Sequence, residues 1–181
     1  MSELLQALYE GDEARVAVLL AEDPELDVFE AAALGRTERV VALVEAEPGL
    51  VAAFSGDGFT PLHLAAFFRQ PETARLLVER GSPVDVFARH EEIVVTPLHS
   101  AVAAGQRDTA ALLLERGADP NARQEGGFTP LHGAAQQGDE ALVELLLRHG
   151  ADPSTAADDG RRAADFAREG GHPGLATRLE V

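Results

Sequence analysis

The sequence predicts an all-α fold built as a stack of short helix pairs, and two recurring markers of equal period carry that prediction. GFTPLHLAA at 58–66, VTPLHSAVAAG at 95–105 and GFTPLHGAAQQG at 127–138 align, with threonines at 60, 96 and 129 spaced 36 and then 33 residues. The glycine that follows an apolar run, in LLVERG, LLLERG and LLLRHG, falls at 81, 117 and 150, spaced 36 and 33 again. Self-similarity at such a period marks a repeat architecture, in which each unit buries its apolar face against its neighbours. Composition agrees: 181 residues, 45% hydrophobic and 25% charged, is an ordinary globular balance for one domain.

Six units follow in order, approximately 1–27, 28–54, 55–90, 91–123, 124–156 and 157–181, all within one domain. The first two are marked by Gly11 in ALYEGDEARVAVLL and Gly35 in AAALGRTERVVALVE; these glycines are only 24 residues apart, so the loop between the two units is expected to be missing. Units three to five each open a helix with Thr-Pro. Thr60, Thr96 and Thr129 are suited to accept the orphan amide bonds of a first turn, and the proline after each loses nothing at the first helical position. Paired alanines (Ala65 and Ala66, Ala134 and Ala135) keep that helix thin, and a glycine then permits the left-handed turn that ends it. A second helix carries a Leu/Val stripe, as in ETARLLVERG, DTAALLLERG and DEALVELLLRHG. Neither helix is long enough to be stable alone. The sixth unit, GRRAADFA, is degraded, with Arg162 and Asp165 where Thr and His stand elsewhere.

The pattern TPLHxAA, then Gly, then LLLxxGADPN at a 33-residue period resembles the ankyrin repeat family over nearly the whole chain. The resemblance implies a solenoid of antiparallel helix pairs joined by β-hairpin loops that project sideways, and a role in binding other proteins. It also implies that the recurring His63, His99 and His132 brace the loops through hydrogen bonds near the Thr hydroxyl. Degraded first and last units suit caps whose outer faces meet water.

Charge excludes several functions. Fifteen cations, all arginine, face 31 acids for a net −16. A nucleic-acid binder needs a clustered positive face, so no nucleic-acid partner is expected. The absence of cysteine removes disulfides, thiolate metal sites and cysteine nucleophiles. The acidic start and the lack of any apolar stretch of membrane-spanning length give the expectation of a cytoplasmic protein with no membrane partner. Three of the six histidines are separated by whole repeats, and His90, His149 and His172 form no ligand spacing, so no metal, cofactor or catalytic residue is expected. A hydrolase using a carboxylate and a histidine is the weakest of the readings. GDGF and EGGF read as turn signals, not phosphate loops.

What the family resemblance leaves free is the concave face, formed by the loop tips and the residues just before the first helix's terminal glycine. Those positions bring Tyr9, Leu34, Phe67, Phe68, Gln136 and Gln137 forward as partner-binding candidates. The residue before each capping threonine adds Phe59, Val95 and Phe128, so four phenylalanines are expected where solvent or a partner should be. The loop from Gly81 to Thr96 runs 15 residues where the later ones run 12, an insertion of three. It displays Arg89, His90, Glu92 and Ile93 near its tip, and its IVV end has strong β propensity. The expectation is a monomeric, non-catalytic interaction module that binds a partner with a basic or apolar surface. The alternative is an acidic inhibitor or antitoxin-like protein occupying a partner's nucleic-acid-binding site. The third unit places Arg69 where the others have glycine, in a turn that calls for a left-handed residue.

Overall fold

A computed structural model describes residues 1–180. Among them twelve helices form six pairs: α1 (Glu3–Glu10) with α2 (Glu13–Ala21), α3 (Val28–Ala33) with α4 (Thr37–Ala46), and α5 (Pro61–Phe67) with α6 (Pro71–Glu79). The series continues with α7 (Pro97–Ala103) and α8 (Arg107–Glu115), α9 (Pro130–Gln137) and α10 (Glu140–Arg148), and α11 (Ala163–Glu169) and α12 (Pro173–Leu179). The odd-numbered helices stack on one another as an inner layer, and α4, α6, α8 and α10 stack outside them.

Local chemistry sets where the inner helices begin. Thr60 is the N-cap of α5: its hydroxyl accepts the His63 N–H, while His63 Nδ1 accepts the Thr60 backbone N–H at 3.3 Å. The same box recurs at Thr96 with His99 and at Thr129 with His132. In the last unit Asp165 replaces the histidine, and its carboxylate accepts the Arg162 N–H at 2.9 Å. Each inner helix of the first five pairs ends at a left-handed residue: Gly11, Gly35, Gly105 and Gly138 all have φ between +67° and +69°, and Arg69 takes the same turn at +62°. That is the conformation the aligned sequence demands of Arg69.

The helices are short, so their stability comes from stacking. One continuous core runs from Val28 to Leu179, with fully buried Leu62, Leu77, Leu98, Leu113, Leu131 and Leu146 and the alanine pairs of the inner layer. Each such leucine contributes roughly 1.5–3 kcal/mol on burial. A smaller cluster beneath the loops joins Leu5, Ala33, Phe59, Leu64 and Ala88.

The loops correct one expectation. They project as fingers closed by tight turns, but among the described residues they contain no strand, only an isolated bridge between Ala156 and Arg162. Each finger has a single backbone-to-backbone bond across its base, from Ser55 N–H to Phe59 O, Ala88 N–H to Val95 O, Gln124 N–H to Phe128 O, or Ala157 N–H to Arg161 O, and in the first the Ser55 hydroxyl also accepts the Phe59 N–H and donates to Phe59 O. One backbone bond per finger is too few for a ladder, so Ile93 and Val94 remain exposed and unpaired despite their β propensity. The first two pairs are joined by Glu22–Asp27 with no finger, as the short spacing predicts, and Asp27 with Glu30 forms a capping box that starts α3.

The concave groove

The fingers and the inner helices α5, α7 and α9 enclose a groove. Its floor is set by the residue after each capping histidine: Leu64 on α5, Ser100 on α7 and Gly133 on α9. The side chain at this position shrinks along the array. Over α5 and α7 lies a depression of about 260 Å³, walled by Tyr9, Phe59, Phe67, Ile93 and Val95 and floored by Leu64, Ser100 and Ala103. A second of about 280 Å³ lies over α7 and α9, lined by Phe128, Gly133, Gln136, Gln137 and the buried Phe166. The two share His99, Ala103 and Gln124. A cleft between neighbouring fingers, lined by Glu92, Ile93, Val95, Glu125 and Phe128, adjoins both.

Four aromatic rings form the end of the groove. Tyr9 from α1 lies 5.1 Å from Phe68, 6.0 Å from Phe67 and 6.4 Å from Phe59, and Phe67 meets Phe68 edge-on at 5.2 Å. Such edge and tilted contacts favour the cluster beyond simple burial. Partial burial, followed by the Asp57 carboxylate, pushes the Tyr9 phenol well above its usual range, so it is a neutral donor at physiological pH.

The inserted finger folds back onto the one before it. The Arg89 guanidinium stacks 3.9 Å above the Phe54 ring, and the Arg89 N–H donates to Gly58 O at 2.7 Å. Gly58 has φ +86°, and a Cβ there would sit 2.4 Å from the Arg89 carbonyl carbon, so this docking requires glycine. His90 lies 5.6 Å from the Phe59 ring, and its Nδ1 accepts the N–H groups of Glu92 and Ile93. The tip is thereby turned so that Ile93 faces Tyr9 and Phe67 across the depression.

The capping histidines reach beyond their own helices. The Nε2–H of His63 donates to Val95 O at 3.0 Å, and that of His99 to Phe128 O at 3.4 Å. A carbonyl oxygen can only accept, which puts the proton on Nε2 and leaves Nδ1 to receive the Thr N–H. Burial outweighs these bonds and lowers both histidines to about 4, so they are neutral at pH 7 with both nitrogens engaged. His132 is lowered too, chiefly by burial, and its Nε2 has no hydrogen-bond partner among the described residues; its ring packs edge-on against Phe166 at 5.1 Å. No group of three or more metal-ligating side chains assembles among the described residues.

The repeat geometry agrees with comparison to known families: the family model described as ankyrin repeats in three copies matches residues 4–124 and 98–179. The chain belongs to the ankyrin repeat family. No curated protein matches it. Ankyrin repeats as a class mediate protein–protein interactions and are typically non-catalytic. No helix of this ankyrin array among the described residues is long and apolar enough to cross a membrane.

Of the residues the sequence brings forward, Tyr9, Phe59, Phe67, Ile93 and Val95 meet at the first depression, and Phe128, Gln136 and Gln137 at the second. Phe59 corrects the expectation of exposure. It is only 9% exposed, because Ala88 and His90 of the next finger close over it, and it presents one edge to the groove. Phe68 is half-buried in the cluster beneath the fingers, whereas Phe67 is 43% exposed. Leu34 lies half-buried at the end of α3 and lines none of the three cavities, and Arg89 is occupied by Phe54. Sequence reasoning passed over Leu64, Ser100, Gly133 and Gln124. The signal was present in the aligned TPLHL, TPLHS and TPLHG, where one position of the repeat steps from large to small.

Proposed function

We propose that this ankyrin array is a non-catalytic module that holds a partner protein in the groove between its fingers and inner helices. One observation carries the reading: three large apolar side chains from distant parts of the chain, Tyr9 at 37% exposure, Phe67 at 43% and Ile93 at 46%, converge around a single depression. Apolar residues gathered on one face of a soluble protein mark an interaction site, and aromatic side chains at the centre of such a patch act as anchors. Beside them, Phe128, Gln136 and Gln137 line the second depression and Glu92 the adjoining cleft. The cavity is below the usual range of about 300–1,000 Å³ for small-molecule sites, which favours inserted side chains as its occupants.

The test is comparative capture of partners from the native cell extract on immobilised protein. Wild type and Leu147→Ala, a change of an exposed leucine on the outer helix α10, are expected to retain the same proteins. Tyr9→Ala combined with Phe67→Ala is expected to lose them. Equal capture by all three overturns the groove as the binding face.

A further inference from the structure

The groove's two depressions and its charge together specify what kind of segment fits. They are separated by one step of the array, since they share His99, Ala103 and Gln124 and lie over successive inner helices. Packed helices lie ~8–10 Å apart, so two anchors seated in the two depressions must be spaced by about that distance. An α-helix laid along the array places residues i and i+7 about 10.5 Å apart on one face. An extended strand offers same-face spacings of roughly 6.6 Å or 13 Å, both poor matches.

Charge supplies the second half. Glu92 and Glu125 flank the cleft that adjoins both depressions, and Glu91 stands beside them at the exposed finger tip. Among the described residues none of the three forms an ion pair. The nearby arginines are committed elsewhere, Arg89 to the Phe54 ring and Arg123 to Asp158. The rim is therefore a row of unpaired carboxylates beside an apolar trough.

We propose that the occupant is a cationic amphipathic helix, with apolar residues at i, i+3 or i+4, and i+7 entering the two depressions and Lys or Arg at its edge meeting Glu91, Glu92 and Glu125. This rests on the groove being the binding face. The apolar side chains give the affinity, and the carboxylates select against acidic helices and speed encounter with basic ones.

The experiment is a selection from a random peptide library of about 16 residues, long enough for i to i+7 with a turn at each end. It uses the full chain, with Phe67→Ala as the counter-target and circular dichroism to verify that both are folded. The expected result is a pool rich in Lys and Arg with apolar residues at helical spacing. Its members should bind at least about tenfold more weakly to the Glu91→Gln, Glu92→Gln, Glu125→Gln triple variant, and progressively more weakly with added salt. Groove-dependent peptides that are acidic, that alternate with period two, or that bind the triple variant as well as wild type overturn the helix and leave the groove standing. Peptides indifferent to Phe67→Ala, or no enrichment above the counter-target, overturn both.

Discussion

The Nε2–H of His63 donates to the carbonyl oxygen of Val95, 32 residues further along the chain, and so ties α5 to the finger that precedes α7. The bond requires a neutral imidazole with its proton on Nε2.

Stability should therefore depend on pH through these histidines. Their ordinary value is 6.5, while His63 and His99 are held at about 4 and His132 is lowered, so the unfolded chain binds more protons as the pH falls below 6.5. Their contribution is complete above pH 6.5 and is lost as the pH falls towards 4. Each histidine is expected to add up to about 1.4 kcal/mol per pH unit to the slope of the unfolding free energy in that window. Urea titrations between pH 7 and 5 measure it, and His99→Asn should flatten the slope by about one proton's share. A slope unchanged by that substitution contradicts the assignment.

Arg69 holds φ +62° with its side chain exposed and without a hydrogen bond or ion pair among the described residues. Left-handed backbone costs a non-glycine residue about 1 kcal/mol, so Arg69→Gly is expected to stabilise the array by roughly that amount and raise the melting temperature by about 2–4 °C. A fall in melting temperature shows that the guanidinium has a structural role.

Phe59 and Phe67 should separate stability from binding. Phe59→Ala removes a ring closed in by Ala88 and His90 and is expected to cost about 3–5 kcal/mol of folding stability. Phe67→Ala removes an exposed ring and should change the melting temperature little while weakening partner capture. Equal destabilisation by the two substitutions would show that Phe67 is part of the core.

Gly133 sits inside α9 and on the groove floor, and a Cβ there meets only the Val102 Cγ1 at 3.5 Å, an ordinary contact. Gly133→Ala is expected to stabilise the protein by roughly 0.5–1 kcal/mol, the helix-propensity difference. It also makes the second depression shallower, so affinity for the partner should fall as thermal stability rises. Unchanged affinity in a partner titration places the anchor elsewhere.

The parts of this architecture that the sequence makes legible are those governed by local chemistry. Thr60-Pro61 with His63 specifies a helix start, and the alignment of Arg69 with Gly35 and Gly105 specifies its backbone, because each depends on a few neighbouring residues. The three-residue insertion is countable, but its destination is not: stacking Arg89 on Phe54 and His90 on Phe59 is a contact between fingers. Phe59 and Phe67 look alike in sequence for the same reason, since only the following finger buries one and spares the other. The packing of Tyr9 on Phe68 depends on α1 stacking on α3 without an intervening finger, a relationship that the repeat spacing hints at without placing the rings. The large-to-small series of Leu64, Ser100 and Gly133 is written openly, yet small residues within a helix read equally well as close packing.

The walls of the first depression come from α1, α5, α7 and the three fingers that precede α5, α7 and α9, which are segments that otherwise touch mainly their immediate neighbours. In a linear array of this kind, each interface can open on its own and disorder can spread from it. A ligand seated against Tyr9, Phe67, Ile93 and Gln124 bridges several of those interfaces at once, and none can part without releasing it. Occupancy thus converts a chain of separable joints into one cooperative block, and amide hydrogens along α1, α5 and α7 should then exchange together, at a rate set by dissociation of the ligand.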